Sequence, residues 1–235
     1  FRDYDNCAVP ACEFDLLWTD CCRTNTVQNI VSPGSTGMAI VGTFISTGPG
    51  GCNNSPQFTD NALSYFCAGQ DHEFAVGAYD PDGDSLAYTL MPCYGDSVNP
   101  VTYAAGYSYL QPLGPTWDVS LDSKTGILTL DALPGNNLTV EIALRIDEYR
   151  TGTLIGSVQR EMHLVAVACG GNVAPEFQSF TNVSGATAVV GDVLYRCTPG
   201  NICLDLPTVD PNLGQAVEIV WDQHLAGATL RDANN

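Results

Sequence analysis

Lysine is almost missing from this chain: Lys124 is the sole one in 235 residues. Arginine raises the basic total to 8, against 26 acidic residues, for a formal charge of −18. So little positive charge argues against a nucleic-acid partner, whose phosphates demand the opposite sign. It equally argues against docking on an anionic membrane surface. The balance suits a protein that binds cations or stays soluble at high density. No apolar run approaches the length of a membrane span, so membrane insertion is not expected. No signal-peptide pattern opens the chain. No C-x-x-C pair occurs and histidines number 3, so a zinc site is poorly supported. A G-x-S-x-G elbow and a phosphate-cradling glycine loop are absent too. The chain opens in mid-phrase at Phe1 and stops at "RDANN". Both ends read as cut from a longer polypeptide.

Cysteine, by contrast, is abundant: Cys7, Cys12, Cys21, Cys22, Cys52, Cys67, Cys93, Cys169, Cys197 and Cys203. The even count and the scatter fit disulfides formed in an oxidising compartment. Neighbours Cys21 and Cys22 are expected to pair elsewhere rather than with each other. Cys67 with Cys93, Cys197 with Cys203 and Cys7 with Cys12 are candidate local bridges, although pairing does not follow from sequence. A catalytic thiolate would need a positive neighbourhood that this acidic chain hardly offers.

Helix signals are nearly absent. Short runs rich in β-branched and aromatic residues stand between Gly, Pro, Asn and Asp instead. They include "MAIVGTFIS" (38–46), "SLAYTLM" (85–91), "GILTL" (126–130), "LTVEIALRI" (138–146), "MHLVAVA" (162–168) and "VEIVW" (217–221). Many short strands with turn signals between them read as all-β sandwiches. Internal repetition divides them. Cys67 precedes Asp80-Pro81 by the same distance as Cys197 precedes Asp210-Pro211, and a tyrosine (Tyr65, Tyr195) stands two places before each cysteine. "CNNSPQF" (52–58) matches "CGGNVAPEF" (169–177), and "WTDCCR" (18–23) matches "RIDEYR" (145–150). The order of these phrases predicts the end of a first sandwich over 1–51, a complete one over 52–169, and the start of a third over 170–235. A complete unit of about 115 residues is normal for a β-sandwich.

The stretch "AYDPDGDSL" (78–86) concentrates negative charge: Asp80, Asp82 and Asp84 alternate around Pro81 and Gly83. Alternating carboxylates in a tight turn present their oxygens to one hard cation. The competing reading is a polar turn with solvated acids, which Asp and Gly favour anyway. An EF-hand is not expected, because the twelfth position from Asp80 is Met91 rather than a bidentate Glu.

"NNSPQF" and "NVAPEF" resemble the linker of cadherin-like repeats, and "AYDPDGDSLAYTL" resembles their Asp-x-Asp loop and following strand. "VSLDSKTGILTL" (119–130) resembles the strand–turn–strand found further along such a repeat. The combination of "CCR", "CNNSPQF", "DPDGDSLAY", "AAGYS" and "DEYRTGTLIGSVQRE" is similar to secreted surface adhesins and filament proteins of gliding and related Bacteroidota, with tandem cadherin-like or PKD-like Ig-fold repeats. The resemblance implies tandem Ig-like sandwiches and a calcium shared by Asp80, Asp82 and Asp147, completed by Asn53 or Asn54. It implies a weaker site at Asp210 and Asn212, with Asn172 as the matching linker residue. The family's Leu-Asp-Arg-Glu ligand motif is missing; "TLDALPG" (129–135) keeps only Asp131.

Histidines His72, His163 and His224 share no motif and read as structural. Trp18, Trp117 and Trp221 fall on or beside strand-like runs, with core packing as their expected use and a sugar-stacking platform as the alternative. "NLT" at Asn137 and "NVS" at Asn182 are sequons by pattern. Ser97, in "DSV" (96–98), resembles a Bacteroidota O-glycosylation site. The expected protein is therefore an extracellular, cell-surface, non-enzymatic structural segment, a calcium-stiffened adhesin stalk or filament. Its partners would be other copies of itself, other surface proteins or glycans. The competing functions are a carbohydrate- or protein-binding module and, further off, an accessory part of a secreted hydrolase.

Overall fold

The computed structural model describes residues 13–45, 52–58, 62–131, 137–190, 193–195, 200–217, 219 and 229. Among them the chain is all-β, with one 3₁₀ turn at Pro33–Ser35 and no α-helix. It divides into two compact units, Phe1–Ala168 and Cys169–Asn235.

The first unit contains β1 (Glu13–Asp20), β2 (Met38–Ile45), β3 (Gln57–Phe58), β4 (Leu63–Cys67), β5 (His72–Ala75), β6 (Ala78–Tyr79), β7 (Ser85–Met91), β8 (Val119–Leu121), β9 (Ile127–Leu130), β10 (Leu138–Arg150) and β11 (Thr153–Val167). A six-stranded sheet runs β1-β2-β11-β10-β7, with β4 parallel to the distal part of β11. A three-stranded sheet runs β5-β9-β8, and β3 pairs with β6. β10 and β11 form the long central hairpin, turned at Thr151-Gly152, where both φ angles are positive (50° and 81°). That is the type I′ geometry whose twist matches the flanking strands.

Alternation along β10 decides what each face does. Val140, Ile142, Leu144 and Ile146 share one face and join Met162, Leu164 and Ala166 of β11 and Leu128 and Leu130 of β9 in the main core. Burying each such side chain stabilises by roughly 1.5–3 kcal/mol. The opposite face is covered by irregular segments, and Ala143 there packs with Val27, Ile30, Cys93 and Val101. Both faces of β10 are therefore buried, and the strand continues to Arg150, past the apolar run expected over 138–146. β11 likewise begins at Thr153 rather than near 162. Its polar "GSVQRE" stretch hid it, because Glu161 there is buried against Arg23, and Arg160 against the Val76 carbonyl and the Phe58 ring.

The expected boundary at 51/52 is corrected. β2 pairs with β11 through Phe44↔Gly156 and Thr43↔Ser157, so residues 13–45 build the same sheet as residues 63–167. The second division falls at 168/169, beside the expected 169/170.

The second unit contains β12 (Glu176–Phe177), β13 (Thr181–Ser184), β14 (Ala188–Val190), β15 (Val193–Tyr195), β16 (Cys203–Asp205) and β17 (Thr208–Val209). They pair as nested antiparallel ladders, β12 with β17, β13 with β16 and β14 with β15. The expected strand over 217–221 falls largely outside the described residues, as do Trp221 and His224.

The cysteines also depart from expectation. Cys21 bonds to Cys22 across a cis peptide. Cys52, Cys67 and Cys169 are disulfide-bonded. Cys93 is a free thiol with no exposure, so it staples nothing to Cys67. Cys203 is free and exposed. Cys7, Cys12 and Cys197 lie outside the described residues.

Candidate functional site

The acidic loop joins β6 to β7. Gly83, at φ 80°, permits the turn, and its N–H donates to the Asp80 carbonyl (3.2 Å). Asp80 Oδ1 accepts the backbone N–H groups of Asp82 (2.8 Å) and Asp84 (3.0 Å). Folded this way, Asp80, Asp82 and Asp84 bring carboxylate oxygens within 4.8 Å of one another.

The linker is clasped onto this loop. Asn54 donates its backbone N–H to Asp82 Oδ2 (2.7 Å) and its Nδ2 to Asp82 Oδ1 (2.9 Å). Three and four residues on, Gln57 and Phe58 pair with Tyr79 and Ala78. Phe58 in turn lies under the Arg160 guanidinium, 4.6 Å from its ring centre.

The same clasp is built again in the second unit. Asp210 Oδ1 accepts the Asn212 N–H (2.7 Å), and Asn212 Oδ1 accepts the Val173 N–H (2.7 Å). Glu176 and Phe177 pair with Val209 and Thr208, as Gln57 and Phe58 do with Tyr79 and Ala78. Gln215 Nε2 reaches Asn172 Oδ1 (2.7 Å). The repeated phrases thus fold into repeated bonding, with neutral Asn212 where the first loop has Asp82.

Of the other expected ligands, Asp147 does not join the cluster. It pairs with Arg145 two residues back, on the same face of β10 (2.9 Å). Strand alternation delivers the next residue, Glu148, to the loop instead. Glu148 Oε2 accepts from Asn53 Nδ2 (2.8 Å). A register shift in the β10–β11 ladder at Glu148/Tyr149 accompanies this aim. Gly156 makes the room, since a Cβ there would stand 3.1 Å from Glu148 Oε2.

Arg150 shares the Glu148 face and supplies the loop's resident positive charge. Its Nε donates to both Asp84 oxygens (2.9 and 3.1 Å), and Nη2 adds Asp84 and Asn53 Oδ1 (2.9 Å). Asp82 Oδ2 is 3.4 Å from Nη2, and Nη1 donates to the Cys52 carbonyl (3.1 Å). The hydrogen bond to Arg150 holds the Asp84 carboxyl below the usual carboxylate range. Sequence reasoning missed both residues. The signal was the Glu-x-Arg spacing within "DEYR", which puts two opposite charges on one strand face.

One guanidinium does not satisfy the site. Asp80 Oδ2 and Glu148 Oε1 are buried without a hydrogen-bond partner among the described residues, and Glu148 is 1 % exposed. Burial pushes Glu148 up to about 8; the Asn53 bond opposes this, while Asp80 and Asp84 reinforce it. Two acidic carboxyls that interact with each other need a proton or a cation between them. The donor set, all oxygen and crowded, fits a hard cation such as calcium.

A second charged cluster lies on the covered face of β10 and β11. Arg23 Nε is 3.0 Å from Glu141 Oε2, and Nη2 donates to Glu161 Oε2 (2.6 Å) and to the Tyr94 carbonyl (2.8 Å). Nη1 donates to the Gly37 carbonyl. His163 Nε2 stands 3.7 Å from Glu141 Oε2. Burial, with the charge of Glu141, pushes Glu161 up to about 8 against the pull of Arg23. Burial also raises the Cys93 thiol well above its usual value, which keeps it inert.

These shifts carry a sign. A carboxyl whose folded pKa exceeds its usual 4.5 binds its proton more tightly when folded, so stability falls as pH rises from about 4.5 through about 8. A loss of about 1–2 kcal/mol across that window is expected, after allowing for dielectric relaxation. Urea unfolding at stepped pH checks it. Glu148→Gln should flatten the fall, and an unchanged slope would assign it elsewhere.

His72 packs against Phe66 and Phe74, and burial lowers its pKa. Trp117 packs on the main core, whereas Trp18 is 51 % exposed, contrary to the core role expected of it. Ser97, Asn137 and Asn182 are exposed. No helix among the described residues is long and apolar enough to cross a membrane. No family model and no curated protein matches this chain.

Proposed function

We propose that this chain is a segment of an extracellular structural protein, a stalk or surface filament of tandem Ig-like, cadherin-like sandwiches. Each unit is braced by a clasp of its Asn-Pro phrase onto its Asp-Pro loop, and calcium stiffens the clasp of the first. The observation that carries this reading is the recurrence of one clasp in both units, with the same Asx-to-backbone bonds and the same short ladder. A reaction centre is seldom duplicated with its charge removed; a mechanical brace within each unit tolerates that change. Disulfides at Cys21–Cys22 and at Cys52, Cys67 and Cys169 suit an oxidising exterior.

Asp80, Asp82 and Asp84 would hold the ion, with Glu148 in the place expected of Asp147. When bound, calcium would neutralise the crowded carboxylates and tie the loop to β10. Binding only the folded state stabilises by mass action, about 1.4 kcal/mol when free calcium is ten times Kd. For a unit of this size that is roughly 3–6 °C in Tm. Thermal unfolding in calcium against chelator measures it, and equal Tm values with no calcium bound by equilibrium dialysis would sink the stiffening role. Negative-stain images of the native protein distinguish a filament from a monomeric binder.

The second reading, a glycan- or protein-binding module, is favoured by the exposed aromatics Phe14 and Trp18 on β1. Quenching of Trp18 fluorescence by an oligosaccharide would support it.

A further inference from the structure

β1 is an edge strand in the wrong dress for solvent. It pairs with β2 along all eight of its residues, and its other edge has no partner strand among the described residues. All eight residues are exposed. Edge strands in soluble proteins are normally blunted by lysine, proline or a bulge. β1, "EFDLLWTD", has none of these, and its charges are the three carboxylates of Glu13, Asp15 and Asp20. One face carries Phe14, Leu16 and Trp18, at 38 %, 72 % and 51 % exposure, beside Ile40 and Phe44 of β2. The result is a continuous apolar stripe next to an open row of backbone groups.

We propose that β1 pairs antiparallel with β1 of a second copy of this chain, about a two-fold axis through Leu16, continuing the sheet across the dimer. The register follows from the charges. A pivot at Leu16 sets Phe14 against the other copy's Trp18 and Leu16 against Leu16 on the apolar face. On the other face it sets Asp15 against Leu17 and Glu13 against Thr19. No acid meets an acid, and the aromatic pair falls at direct cross-strand contact. A pivot at Asp15 opposes the two Asp15 carboxylates. A pivot at Leu17 sets Phe14 against Asp20. A pivot between Leu16 and Leu17 puts Glu13 against Asp20 and turns each apolar stripe over the other copy's acidic face. The contact is isologous, so it closes on two copies. The formal charge of −18 on each copy repels its twin at long range. Association therefore strengthens with salt, the reverse of a contact driven by opposite charges.

This inference names the partner that the structural reading leaves open. Its test reads association rather than calcium, so either can fail alone. Sedimentation of the full chain over a concentration series, at low and high salt, should show a monomer–dimer equilibrium that salt favours. Leu16→Arg and Trp18→Arg should each weaken it about tenfold or more, whereas Leu213→Arg, at an exposed apolar site of the second unit, should not. Circular dichroism checks that the variants remain folded. In a Cys203→Ser background, Leu16→Cys should cross-link to itself, because facing strand residues lie within disulfide reach. Phe14→Cys should cross-link to Trp18→Cys on mixing, and Thr19→Cys should not self-link. A chain monomeric at every concentration and salt overturns the proposal. So does a dimer indifferent to Leu16→Arg and Trp18→Arg, or one weakened by salt, which would mark a basic partner strand as the proper occupant.

Discussion

Replacing Arg23 with alanine is expected to cost about 3–5 kcal/mol of stability, the largest effect of any single substitution considered for this protein. Arg23 is 3 % exposed and faces two buried carboxylates, Glu141 (2 %) and Glu161 (9 %), with His163 3.7 Å from the first of them. The loss is not the value of the ion pairs themselves, which desolvation largely offsets; it is the cost of leaving two acids buried without a cation. At roughly 2–4 °C per kcal/mol, Tm should fall by about 6–20 °C. Lysine should not rescue it, because four acceptors around one planar fork cannot be met by a single ammonium. Adding Glu141→Gln and Glu161→Gln should recover part of the loss, since both orphaned charges disappear with the arginine. Urea unfolding of the single and triple variants decides. A loss below about 1 kcal/mol for Arg23→Ala would show that water or a proton replaces the guanidinium freely.

What was legible in the sequence was short in range. Asp80, Asp82 and Asp84 lie within five positions, so the turn chemistry of Pro81 and Gly83 suffices to gather them. The phrase "NNSPQF" announced a clasp through its repeat at "NVAPEF", although not the atoms that make it. The error over Asp147 was a single strand position. "DE" offers two acids on opposite faces, and only the register with β7 and β11 selects Glu148. The role of Arg23 was beyond reach: the repeated phrase "WTDCCR" marked the residue, but its partner Glu161 lies 138 positions away. The 51/52 boundary failed for a related reason. A repeat of phrases shows that two segments are alike, not which sheet their strands join, and β1 and β2 join β11 of the same unit.

Arg150→Met should separate the loop's own cation from an external one. Arg150 holds Asp84, reaches Asp82, and ties the linker through Asn53 and the Cys52 carbonyl. Its side chain is 17 % exposed, so water recovers part of what is lost, and a cost of about 2–3 kcal/mol is expected without calcium. Methionine keeps the stem's packing, which confines the change to the charge and its hydrogen bonds. Removing one positive charge beside Asp80, Asp82, Asp84 and Glu148 must strengthen the loop's attraction for any other cation. Calcium affinity should therefore rise about tenfold, and the gap in Tm between calcium and chelator should widen rather than shrink. Titration calorimetry of the wild-type and Arg150→Met chains reads the affinity directly. If Arg150 were instead a required brace for the ion, the variant would lose both stability and calcium response, and the oxygen cluster would have to be read as an arginine clasp alone. The sign of that one change in affinity distinguishes a loop that arginine guards from a loop that arginine completes.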